Sequence, residues 1–145
     1  MNSIHILLVE DNEGDILLTK EALSQVLLPT TISVAKDGKE AICYLEKIAP
    51  YTNSLIPDII LLDINLPKMN GHEVLKYLKT NNKFKHIPVI MFTTSSAEKD
   101  ILESYKNYAN CYITKPVEVD DFLNVIKSIE NFWISIIQLP HTNNI

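Results

Sequence analysis

The strongest constraint on this chain is Ile59-Ile60-Leu61-Leu62, an unbroken apolar run that stops on Asp63 and leads into Ile64-Asn65-Leu66-Pro67. A run without polar alternation calls for a strand covered on both faces, as in the middle of a parallel sheet. Asp63 then stands at the carboxyl end of that strand. In open α/β sheets this is the edge where crevices form and ligands gather. Aspartate is also an ordinary strand terminator and helix cap, so the stretch alone leaves a functional and a structural reading open.

The same pattern recurs along the chain. Ile4 to Val9 is apolar and ends on Glu10-Asp11-Asn12, and Thr31 to Ala35 is a short β-branched run. Pro88 precedes Val89-Ile90-Met91-Phe92, which ends in Thr93-Thr94-Ser95-Ser96; Cys111-Tyr112-Ile113 closes on Thr114-Lys115-Pro116. Helical spacing fills the gaps. Leu18, Ala22, Leu23 and Val26 precede Pro29, and Ala41, Ile42, Leu45 and Ile48 follow Asp37-Gly38. Val74, Leu75 and Leu78 follow a turn at Lys68 to Gly71, a fourth helix spans about Ala97 to Tyr108, and a last one begins near Val119. Strand and helix alternate five times, which predicts one α/β domain with a parallel sheet, right-handed crossovers and helices on both faces.

Composition narrows the function. A chain of 145 residues fits one domain with a real core. Net charge is −5 with no basic block, which argues against nucleic acid as a partner, and the acidic cluster Glu10, Asp11, Glu13 and Asp15 suggests a cation site instead. No apolar run reaches membrane-spanning length and the first residues lack a secretory pattern, so the expected place is the cytoplasm, away from membranes. Cys43 and Cys111 lie outside any CxxC spacing and read as reduced thiols. His5, His72, His86 and His141 show no ligand spacing and read as structural or exposed.

Glu10, Asp11, Asp63, Thr93 and Lys115 all follow apolar runs and would share one sheet edge. Carboxylates packed together repel by about 4 kcal/mol per pair at ~4 Å in a medium of effective dielectric ~20. A divalent cation and the Lys115 ammonium would neutralise them. An all-oxygen, partly hydrated site suits Mg²⁺, with Mn²⁺ able to substitute. The Thr93 hydroxyl and Lys115 add the donors that phosphoryl oxygens need.

These residues resemble the receiver domain of two-component response regulators. The matching pieces are VEDN, LLDINLP with MNG just after it, the Thr93-Thr94 pair after PVIMF, and Lys115-Pro116. The resemblance implies a five-stranded sheet in the flavodoxin-like order 2-1-3-4-5, with a receiver domain over residues 1–130. It implies that Asp63 accepts a phosphoryl group from a sensor histidine kinase or phosphotransfer protein. Glu10, Asp11, Asp63 and the backbone carbonyl of Asn65 would hold the metal, and Thr93, Thr94 and Lys115 the phosphoryl oxygens. Thr93 and Tyr112 would form the switch, changing the surface of helix 4, strand 5 and helix 5, and the Lys115-Pro116 bond would be cis. Two departures are Glu10, where Asp is commoner, and Val117, where Phe often follows the Lys-Pro pair.

Residues 131–145 extend the last helix rather than form a domain. Phe122, Ile126, Ile129, Trp133, Ile136 and Ile137 continue one apolar face, so a continuous helix from Val119 to Leu139 is expected. This apolar surface could fold back on its own domain, but so much of it is expected to be covered by a second copy, with Phe132, Trp133, Ile136 and Ile137 at a homodimer's centre. This tail is similar to that of the small single-domain response regulators partnering cyanobacterial and bacterial phytochromes. The expectation is a stand-alone signalling module rather than an enzyme. The enzyme alternative is a haloacid dehalogenase-type phosphatase with Asp63 as nucleophile. That chemistry wants a second Asp two positions on as general acid, and Asn65 cannot donate that proton. A flavin-binding domain would need a phosphate loop after the first strand, where the anionic VEDNEGD stands.

Overall fold

The computed structural model describes residues 3–24 and 29–140, so Val26 and His141 lie outside it. Five strands, β1 (Ile4–Val9), β2 (Thr30–Ala35), β3 (Ile59–Leu62), β4 (Val89–Thr93) and β5 (Cys111–Thr114), alternate with helices α1 (Glu13–Leu23), α2 (Gly38–Leu45), α3 (Gly71–Lys79), α4 (Glu98–Lys106) and α5 (Val119–Ile129). All neighbouring strands are parallel, and the order is β2-β1-β3-β4-β5. The predicted fold class and order both hold.

Every residue of β1, β3 and β4 is buried, as unbroken apolar runs require, whereas the edge strands β2 and β5 are only partly covered. Alternation then divides the side chains. Leu7, Val9, Ile60, Leu62, Val89 and Met91 face a core built with α2 and α3. Ile6, Leu8, Ile59, Leu61, Ile90 and Phe92 face the opposite core, closed by Leu23 of α1 and by Phe122, Ile126 and Ile129 of α5. Each such side chain contributes about 1.5–3 kcal/mol when fully buried. A charge at any position of β3 would break both the strand and the edge it carries.

Register aligns the carboxyl ends. Val9 pairs with Ala35 on one side and Leu62 on the other, and the Asp63 amide donates to the Val9 carbonyl at 3.0 Å. Glu10 and Asp63 therefore emerge side by side. Helix α3 starts against this edge: Asn70 and Glu73 form a reciprocal capping box, which fixes Gly71 directly behind the Asp63 backbone. A Cβ on Gly71 would lie 2.1 Å from the Asp63 carbonyl oxygen, so only glycine permits the approach. Gly38 does the same for the β3–α3 loop, since its Cβ would meet the Met69 carbonyl at 2.0 Å.

Two expectations fail. Ile48 is exposed, because α2 ends at Leu45 and a left-handed Lys47 (φ 57°) turns the chain away from the core. The continuous helix to Leu139 also fails. After Ile129 the chain opens into a π-helical segment, Glu130–Ile136, in which the Ile137 amide reaches back to the Phe132 carbonyl at 2.9 Å. The wider turn re-aims the tail, and the backbone is extended at Ile137. Ile134 and Leu139 join the core on the α1 and α5 side together with Ile4. Much of the tail thus covers its own domain. Phe132 remains exposed, and Trp133 and Ile137 are half-buried; the Ile136 side chain lies outside the described ones.

Candidate functional site

Three strand ends and one helix meet around the Lys115 ammonium. Lys115 follows β5, where its amide donates to the Thr93 carbonyl at 2.7 Å and keeps the chain in sheet register one residue beyond the strand. From there its side chain runs inward, crossing the Phe92 ring with Nζ 5.8 Å from the centroid. Nζ donates to Asp63 Oδ2 at 3.0 Å, to Asp15 Oδ2 at 2.9 Å and to Glu10 Oε1. The remaining carboxylate oxygens are partly used. Asp63 Oδ1 accepts from the Ile64 amide at 2.7 Å, and Glu10 Oε2 from the Asn12 amide at 3.1 Å.

Burial sets the electrostatics. Glu10, Asp63 and Lys115 are all buried, whereas Asp11 is exposed. Desolvation, opposed by the Lys115 bond and helped by the Asp63 charge, pushes the Glu10 carboxyl up to about 7. Burial works against the Lys115 charge too, but the carboxylates of Glu10 and Asp15 outweigh it and hold the ammonium above its usual range. The site therefore keeps its cation firmly while one carboxylate is costly to charge. Ligand oxygens of Glu10, Asp11 and Asp63 lie within 4.8 Å of one another. Such an oxygen-only group with an exposed side fits a hard divalent cation.

Among the residues read from the sequence, Glu10, Asp11, Asp63 and Lys115 are brought together. Thr93 is fully buried at the end of β4, and its Oγ1 accepts from the Ser95 amide at 3.4 Å, while Thr94 beside it is exposed. Asn65 is exposed in the β3–α3 loop, between amide bonds that run to the Ile64 and Pro67 carbonyls. Tyr112 is partly buried, and its hydroxyl donates to the Ser95 carbonyl at 2.8 Å. One expectation is corrected: Lys115-Pro116 is trans, and Ala49-Pro50 is the cis bond among the described residues. The extended register of Lys115 beside Thr93 already delivers Nζ to Asp63, so the turn expected of a cis bond is not required.

Two sets of contacts escaped sequence reading. Asp15 belongs to the acidic cluster after β1, with Glu10, Asp11 and Glu13, that suggests a cation site from the sequence, but its pairing with Lys115 was not read. Its place in the first turn of α1, with its amide capped by Asn12 Oδ1 at 2.9 Å, was the available signal. Ser95, Asp100 and His72 form a chain: Ser95 Oγ donates to Asp100 Oδ2 at 2.5 Å, and Asp100 Oδ1 lies 2.9 Å from His72 Nε2. Hydrogen bonding to Ser95 and His72 holds the Asp100 carboxyl below its ordinary range. No spacing in the sequence joins residues from α3, α4 and the loop between β4 and α4.

Known proteins share this fold. The chain is 41% identical over 135 residues to the response regulator Rcp1 of Synechocystis sp., covering 93% of this chain and 92% of that protein. It superimposes on the phosphorylated cyanobacterial phytochrome response regulator RcpA with a TM-score of 0.94 at 44% identity, covering 96% of this chain and 99% of that one. For the Mn²⁺-bound form of Rcp1 the TM-score is 0.92 at 40% identity, over 94% and 99% of the two chains. Residues 6–127 match the model of the response regulator receiver domain, from within β1 to within α5 and across every residue of the cluster just described. On that match and on those relatives, the chain belongs to the response regulator receiver domain family.

Proposed function

We propose that this response regulator accepts a phosphoryl group on Asp63 with Mg²⁺ bound by Glu10, Asp11, Asp63 and the Asn65 carbonyl. The observation that supports it most is the buried Lys115 ammonium, whose 3.0 Å bond to Asp63 places a cation beside the carboxylate that would be phosphorylated. The carboxylate oxygen of Asp63 bonds to phosphorus as the bond from phosphorus to the donor's imidazole nitrogen breaks, and that electron pair returns to the nitrogen. Asp63 gives up no proton. Lys115 and the Thr93 hydroxyl hold the phosphoryl oxygens, and the metal supplies further neutralisation of charge. Thr94, being exposed, can contribute only at the rim.

The donor would be a sensor histidine kinase or phosphotransfer protein, and the relatives' names point to a phytochrome-type kinase. The cytoplasm is the matching location; no helix among the described residues is long and apolar enough to cross a membrane. Phosphorylation would draw the Thr93 hydroxyl from the Ser95 amide and release Tyr112 from the Ser95 carbonyl, altering the face made by α4, β5 and α5. The test is Mg²⁺-dependent labelling by acetyl phosphate. Wild type should be labelled and should show a shifted Tyr112 ring resonance; Asp63→Asn, or excess EDTA, should abolish both. Equal labelling of Asp63→Asn would sink the reading.

The same reading includes a homodimer through the tail, now carried by fewer side chains. Phe132 is exposed and packs edge-to-face on Trp133 at 5.7 Å between ring centroids, beside half-buried Ile137. Two or three such side chains would supply about 3–9 kcal/mol when fully buried, against an association cost of roughly 4–15 kcal/mol, so the α4, β5 and α5 face must contribute as well. Sedimentation of wild type and Phe132→Ser at micromolar concentration should show a dimer that the substitution weakens. A wild-type monomer would remove the dimer from the proposal.

A further inference from the structure

We propose that Asp15 is a positioning residue for phosphoryl transfer, one that fixes where the Lys115 ammonium stands; this rests on Asp63 being the phosphoacceptor. Lysine carries three N–H donors. Here they meet Glu10, Asp63 and Asp15, one carboxylate from each of β1's end, β3's end and α1. The first two are neighbours on adjoining central strands. Asp15 is the one contact that does not belong to the sheet edge.

An acidic residue in a helix's first turn ordinarily serves the dipole and the free amides of its own helix. Asp15 is held for another purpose. Its amide is capped by Asn12, and its carbonyl accepts from Thr19 Oγ1 at 2.7 Å, which fixes the backbone on both sides of the side chain. The carboxylate then reaches a lysine one hundred residues away, and its side chain is 24% exposed against 3% for Lys115.

The chemistry gives this contact a consequence. Without Asp15 the ammonium would rest on Glu10 and Asp63 alone and would close on the nucleophile. A tighter ion pair makes the Asp63 carboxylate a poorer nucleophile and draws the cation away from arriving phosphoryl oxygens. When an Asp63 oxygen bonds to phosphorus and the donor's leaving group departs with its electron pair, Lys115 loses a carboxylate partner and turns an N–H toward the phosphoryl group. Asp15 keeps Nζ within reach on the α1 side during that exchange, and a misplacement of even ~1 Å costs rate steeply.

The experiment compares full-length wild type, Asp15→Ala and Asp15→Asn for initial rates of acetyl phosphate labelling, with Mg²⁺ affinity measured by calorimetry and folding by thermal melts. Losing one charge-assisted bond should slow Asp15→Ala about tenfold, while Asp15→Asn, whose amide oxygen still accepts from Nζ, should stay within about threefold of wild type. Mg²⁺ affinity should stay within about threefold in both, because Asp15 is not among the metal ligands. Asp15→Ala labelled at the wild-type rate would overturn the inference. So would Asp15→Asn as slow as Asp15→Ala, or a rate loss that follows lost Mg²⁺ affinity or lost folding. Failure of the underlying reading looks different: wild type itself would go unlabelled.

Discussion

The two ends of the central strands bury polar groups in opposite ways. At the carboxyl end, Glu10, Asp63 and Lys115 form a charged cluster with one cation among three carboxylates, counting Asp15. At the amino end, His5 Nε2 lies 2.9 Å from both Ser33 Oγ and the Tyr44 hydroxyl, and those two hydroxyls are 3.1 Å apart. Asp58 completes that end by accepting the His5 amide at 2.8 Å. The amino end spends most of its polar groups on one another within the fold, His5 Nδ1 being the exception. The carboxyl end leaves a surplus of negative charge facing outward through Asp11, which is a poor arrangement for stability and a good one for receiving a cation. Position along the same strands thus separates a polar cluster that closes the fold from one whose charge suits a cation.

Removing the Lys115 charge should have the largest effect at the carboxyl end. Lys115→Met would leave carboxylates facing one another without compensation, and breaking a buried ion pair by removing one partner costs about 3–5 kcal/mol. Urea unfolding of the metal-free protein should show that loss, and added Mg²⁺ should recover part of it. A wild-type midpoint would mean that the carboxylates take up protons and that the charge surplus is not real.

A smaller effect should distinguish the two ends by sign. Glu10 has its carboxyl raised, so its contribution to stability is present below the unfolded value near 4.5 and is lost as pH rises through about 7. Stability of the metal-free protein should fall by roughly 2 kcal/mol over that window. His5 behaves oppositely. Burial lowers its pKa despite the Asp58 charge, so its contribution is present above the unfolded value of 6.5 and fades as pH falls below it. Glu10→Gln should flatten the first slope and His5→Gln the second, smaller one, in urea midpoints taken from pH 4 to 8. Slopes of the same sign would erase the contrast.

Much of this was legible in the sequence because both signals are local. Unbroken apolar runs place β1, β3 and β4 inside, and the residues that end them fall at one edge whatever the details of the helices. Glu10, Asp63 and Lys115 could be read for that reason. The pairing of Asp15 with Lys115 could not, because it depends on how α1 is set against the sheet. The tail resisted for another reason: helical periodicity cannot register one residue too many in a turn, so it could not decide between a tail folded back on its own domain and one covered by a second copy. The trans peptide at Lys115-Pro116 was equally silent, since a proline makes either isomer accessible and the local register decides.

The contact between Gly71 and the Asp63 carbonyl has a mechanical consequence. Helix α3 is braced, backbone to backbone, against the residue that would carry the phosphoryl group, with no side chain between them to compress. On the other side, the loop after β4 is tied down by single side-chain bonds, Ser95 to Asp100 and Tyr112 to Ser95. A load applied at Asp63 therefore meets a stiff abutment on one flank and a few releasable ties on the other. Close-packed interiors give way discretely rather than by gradual deformation. Displacement should run toward α4 and β5 because that is the compliant side, and α3 should act as the fulcrum.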